Sequence, residues 1–178
     1  MKKTVVLLYP QFSEYELSVA LSILMQGKKP VVTVGVTNAP VTSEAGLTCI
    51  PDTTIEDVNL EEVDSLLLPG CMDIGVVMDD EELLAFIEKV ATEERVIASI
   101  SSSPLLLAKS RVLKGKKYTV GLTEECRRDT GVFELENYRD ELVVRDGNVI
   151  TARGRGFIEF GKCFGEALEL TFEEAWYR

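Results

Sequence analysis

The sequence contains no histidine among its 178 residues. That absence excludes a Ser-His-Asp triad, a Cys-His dyad and His-ligated zinc, and it removes the one side chain whose ordinary pKa lies near neutrality. Catalysis here must run on carboxylates, thiols, hydroxyls, Lys or backbone amides. Basic charge is scarce too: 19 Lys and Arg stand against 30 Asp and Glu, a formal net charge of -11. Phosphate backbones need a basic footprint, so nucleic acid is excluded as a partner. No stretch approaches the roughly 20 apolar residues of a membrane span, and the apolar run Thr4–Tyr9 is too brief for a signal-peptide core. The four cysteines, at 49, 71, 126 and 163, match neither zinc nor Cys-X-X-Cys spacing. Each reads as a reduced, buried thiol of a cytoplasmic chain without metal or cofactor.

What is present, 46% hydrophobic residues in a chain of this length, describes one globular domain over residues 1–178. Thr4–Tyr9 is a continuous apolar run closed by Pro10, as in a strand covered on both faces. Ser13 and Glu16 have the spacing of a capping box, and Leu17, Ala20, Leu21 and Leu24 form a helical stripe ending near Gly27. Val31–Val36 reads as a second strand, Pro40–Pro51 as a small hairpin, and Ser65–Leu68 as a third strand stopped at Pro69-Gly70-Cys71. Asp79 or Asp80 caps a helix bearing Leu83, Leu84, Phe86, Ile87 and Val90. Val96–Ile100 is a fourth core strand, followed by Ser101-Ser102-Ser103-Pro104 and a short Leu-rich helix. Tyr118–Val120 reads as a further strand and Thr123–Arg128 as a helical turn. Asp146-Gly147 joins a hairpin before a last helix with Phe157, Phe160 and Phe164 on one face.

Alternating strands and helices imply a mostly parallel sheet with helices on both faces. Right-handed crossovers then gather every strand's carboxyl end on one edge, where open α/β sheets bind ligands. Pro10–Glu16, Pro69–Asp73, Ser101–Pro104 and Gly121–Thr123 meet there. Ile97–Pro104 is a strand turning sharply into a helix through small residues, the architecture that presents a nucleophile above backbone N–H groups. By itself the same stretch also reads as an ordinary Ser-rich helix cap.

Val5–Tyr9 followed by Glu14-Tyr15-Glu16, then Leu66-Leu67-Leu68-Pro69-Gly70, Ile97–Pro104 and Thr151-Ala152-Arg153-Gly154 resemble, in order and spacing, the landmarks of the ThiJ/PfpI superfamily of proteases, deglycases, isocyanide hydratases and stress proteins. The resemblance implies a flavodoxin-like three-layer α/β sandwich and a homodimer. It also implies an elbow cysteine paired with a first-helix Glu and a nearby His. Carried over, those positions are Ser101, Glu16 and Gly121, so the Glu is kept and the thiol and imidazole are missing. A Ser hydroxyl needs an adjacent base, and a carboxylate is a weak one. Cys71 stands where the family has a second Gly whose N–H helps hold an oxyanion, which makes its thiol a candidate displaced nucleophile. Gly70, Ser102, Gly121 and Arg153 complete the expected ligand site, with Arg153 either holding an anion or tying loops together. The pattern implies a catalytically degenerate homodimer that binds a small ligand or serves in stress. The alternative is an active hydrolase or deglycase working through Cys71, or through an elbow cysteine replaced by Ser101.

Overall fold

The computed structural model describes residues 1–178. In chain order the elements are β1 (Lys3–Leu8), α1 (Glu14–Gln26), β2 (Val31–Gly35), β3 (Val41–Thr42), β4 (Thr48–Cys49), β5 (Thr53–Thr54), β6 (Val63–Leu68), α2 (Glu81–Val90), β7 (Val96–Ile100), α3 (Pro104–Lys109), α4 (Glu124–Thr130), β8 (Val143–Asp146), β9 (Val149–Ala152) and α5 (Phe157–Ala167). The apolar runs become the central strands because strands covered on both faces need apolar residues at consecutive positions. Leu66, Leu67 and Leu68 of β6 are all fully buried, each stabilising the fold by about 1.5–3 kcal/mol.

A seven-stranded sheet in the order β5-β2-β1-β6-β7-β9-β8 results, parallel throughout except for β8, which turns back on β9 at the Asp146-Gly147 hairpin. α1 packs on α5, and α2 on α3. Right-handed crossovers put these two pairs on opposite faces, because the chain leaves β1 in one direction and β6 in the other. α1 and α5 approach closely at Gly161, where a Cβ would lie 2.8 Å from the Ala20 backbone nitrogen. The expected hairpin within Pro40–Pro51 is the separate two-stranded sheet β3-β4. This is the mostly parallel, flavodoxin-like α/β architecture expected from the sequence.

Several local readings change. Ser13 occupies the N-cap position of α1 but makes no capping bond; its hydroxyl donates to Glu44 Oε1 at 2.8 Å. The capping box is thus absent, and Glu16 is free to face the sheet. Leu21 was expected on the buried stripe but is 36% exposed, and Ile23 is buried instead. α1 does end before Gly27, yet Lys28 rather than Gly27 takes the left-handed conformation (φ +53°). Gly27 is small for packing: a Cβ there would lie 2.9 Å from Leu170 Cβ. Tyr118–Val120 forms only an isolated bridge from Tyr118 to Tyr138. Asp80, not Asp79, caps α2 by accepting from the Leu83 N–H at 3.0 Å.

Candidate active site

The carboxyl ends of β1, β6, β7 and β9 converge on Ser101. β7 ends in a turn so tight that Ser101 takes φ +66°, a backbone state costing a non-glycine residue of order 1 kcal/mol or more. Its N–H donates to Ala152 O at 2.8 Å, and its carbonyl accepts from the Gly121 N–H at 2.6 Å. The bend is therefore held from β9 on one side and from the Gly121 loop on the other. Gly121 lies directly against the Ser101 backbone, since a Cβ there would come within 3.1 Å of it.

Glu16 reaches this bend from the first turn of α1 and is only 3% exposed. The Gly70 N–H donates to its Oε2 at 2.9 Å and the Tyr15 hydroxyl to its Oε1 at 3.4 Å, with the Ser101 hydroxyl lying beside the same carboxyl group. The two glycines that frame the pair are required by space. A Cβ on Gly70 would overlap Glu16 Oε2 and come within 2.7 Å of Ser101 Cβ. One on Gly154 would overlap Glu16 Oε1 and sit 3.2 Å from Ser101 Oγ. Burial pushes the Glu16 pKa upward, and the Ser101 hydroxyl and the Gly70 N–H only partly oppose it.

The surrounding ionisable groups shift the same way. Burial, then the nearby Cys71 charge, holds the Tyr9 hydroxyl well above its usual range; that hydroxyl donates to the Pro69 carbonyl. Burial, then Glu16, raises Tyr15. Burial thus disfavours the charged forms of Tyr9, Tyr15 and Glu16.

Cys71 is placed at this edge but faces away from nucleophilic chemistry. Its thiol donates to Pro10 O at 3.3 Å and Asp73 O at 3.2 Å, and burial pushes its pKa up. A reactive thiolate is favoured by the opposite shift, so the surroundings of Cys71 give no support to the expected displaced nucleophile. Ser102 was not anticipated in the role it has. Its hydroxyl accepts from the Cys71 N–H at 3.2 Å and donates to Cys71 O at 3.1 Å, occupying the amide expected to help hold an oxyanion. Arg153 ties loops together: its guanidinium pairs with Asp140 at 2.7 Å and donates to the Tyr138 hydroxyl. Arg155 is exposed. No group of three or more His, Cys, Asp or Glu side chains is arranged to hold a metal, and no helix is long and apolar enough to cross a membrane.

An elbow facing a buried first-helix Glu on this sheet is the architecture that the sequence landmarks implied. The chain matches the DJ-1/PfpI family over residues 2–167 and belongs to it. It is 32% identical over 152 residues to an isonitrile hydratase of Pseudomonas putida, covering 83% of this chain and 63% of that protein. It is 29% identical over 154 residues to a deglycase of Thermococcus kodakarensis, covering 86% of this chain and 91% of that protein. Its fold matches a DJ-1 superfamily protein of Agrobacterium tumefaciens with a TM-score of 0.87 at 23% identity, over 99% of this chain and 94% of that one.

Proposed function

We propose that this chain binds a small neutral carbonyl compound non-covalently, using the active-site scaffold of its family without the covalent step. One observation carries the reading. Of the N–H groups around this bend, those of Gly70, Cys71 and Ser101 are already bonded to Glu16, Ser102 and Ala152, and the Ser102 N–H is left as a single free donor for a developing oxyanion. Acyl transfer needs such donors free when negative charge appears. The attacking group would be a hydroxyl, whose only neighbouring base is a carboxyl, a weak base even with its pKa raised by burial. Neutral surroundings favour an uncharged ligand, and the Ser101 hydroxyl and the unpartnered Ser102 N–H are suited to hold its carbonyl oxygen.

A second reading, turnover of the kind named for the deglycase and hydratase relatives, is favoured by the strained Ser101 backbone, since strain of this kind gathers at active sites. One experiment separates the two. Dihydroxyacetone should raise the melting temperature saturably, and Ser101→Ala should remove the effect. Methylglyoxal, an aryl ester and an alkyl isonitrile should give no product and no added mass on the protein. Product formation that Ser101→Ala abolishes would establish the enzyme instead, and a melting temperature indifferent to dihydroxyacetone would refute the binder.

The same proposal includes a homodimer in the cytoplasm. Support for the dimer comes from Met25 and the hairpin residues Leu47 and Ile50, which are 61%, 56% and 72% exposed. Leu47 and Ile50 line a cavity of about 410 Å³ that reaches Leu17 and Leu21 of α1. A contiguous apolar surface of this kind is what association covers.

A further inference from the structure

α4 carries a buried cation that no acid neutralises. Arg127 is 8% exposed and forms no salt bridge, in a chain with 30 acidic residues. The arginines near it are paired: Arg128 with Glu124 at 2.6 Å, and Arg153 with Asp140 at 2.7 Å. Arg127 instead donates Nη1 to Leu122 O at 2.7 Å and lays its guanidinium 3.6 Å from the centre of the Tyr138 ring. Its Nε is buried without a partner, and its Nη2 makes no hydrogen bond within the chain. Because Nε is closed off, the Nη2 N–H groups are the ones left to meet an oxyanion from outside.

A cavity of about 320 Å³ is lined by Glu124, Arg127, Arg128, Leu135 and Tyr138. Because the Glu124 carboxylate is already engaged by Arg128, the unmatched charge in that cavity is the Arg127 cation. Removing a cation from water without a counter-charge is unfavourable, and a ring face and one carbonyl compensate it only in part.

We propose that this cavity binds the oxyanion of a small ligand, a carboxylate or a phosphate, with the Nη2 end of Arg127 as its anchor and Leu135 and Tyr138 against its apolar body. The site is distinct from the Glu16–Ser101 pair yet connected to it. Leu122, held by Arg127, follows Gly121, whose N–H donates to Ser101 O at 2.6 Å.

The test is a titration of the ¹⁵N-labelled full chain with inorganic phosphate and, separately, with acetate, at constant ionic strength set by chloride. Amide signals of Leu122–Arg128 and Tyr138 should shift saturably in at least one arm. The arm that saturates at lower concentration identifies the oxyanion class. Arg127→Met should abolish saturation, whereas Arg128→Ala should weaken it only a few-fold. Shifts that grow linearly in both arms overturn the proposal, as does saturation that survives Arg127→Met. Should Arg127→Met not fold, Leu135→Glu, at a position 41% exposed, places a competing carboxylate beside the cavity. Saturation must then be lost, and its persistence would equally overturn the proposal.

Discussion

Two buried charge-bearing groups sit on either side of the Gly121 turn and are handled in opposite ways. Glu16 is a buried acid with no cation, accepting from the Gly70 amide and the Tyr15 hydroxyl. Arg127 is a buried cation with no acid, stabilised by a carbonyl and an aromatic face. An acid can answer burial by keeping its proton, whereas a guanidinium cannot lose one under ordinary conditions. The first side can therefore become neutral by itself, and the second needs charge brought from outside. Lys29 shows the conventional solution elsewhere in the fold: it is buried and pairs directly with Asp64 at 2.5 Å.

The largest effect expected from breaking this comparison is at Gly154. Gly154→Ala drives a methyl group into the Glu16 carboxyl and against Ser101 Oγ, and should destabilise the protein by about 3 kcal/mol in urea unfolding. Asp64→Asn, which leaves Lys29 buried beside a neutral partner, should cost about 2 kcal/mol, less than for a fully enclosed pair because Asp64 keeps solvent contact.

The pH response of Glu16 is a smaller effect with a definite sign. Its folded pKa lies above the unfolded value near 4.5, so between the two the folded state binds more protons and stability falls as pH rises. The contribution is complete below about 4.5 and lost as pH passes the folded value. With no histidine to titrate, the difference in unfolding free energy between the wild type and Glu16→Gln should trace this single group. A difference that is flat from pH 4.5 to 8 would show that Glu16 titrates normally. The mildest prediction concerns the apolar hairpin. Leu47→Glu should leave stability within about 0.5 kcal/mol, as for an exposed position, while converting a dimer to a monomer in sedimentation analysis.

The layered fold was readable because unbroken apolar runs such as Leu66–Leu68 have few alternatives to a central strand. Pairing details were less so. β5 is a two-residue edge, too short for any periodicity to announce it. The capping box at Ser13 and Glu16 failed because spacing cannot show that Gly70 offers Glu16 a better partner than the Ser13 amide. At the site, Ser101 and Glu16 came through the family landmarks, but the hydroxyl of Ser102 closing on the Cys71 amide depends on a rotamer that no pattern encodes. Arg127 left no signal beyond a basic residue in the last turn of a short helix, a placement that ordinarily complements the helix dipole. Its burial is set by Tyr138, eleven positions further along the chain.

The positive φ at Ser101 also decides how its hydroxyl can be removed cleanly. A glycine adopts that conformation at no steric cost, so Ser101→Gly deletes the oxygen while relaxing the bend, whereas Ser101→Ala deletes it and leaves the backbone cost in place.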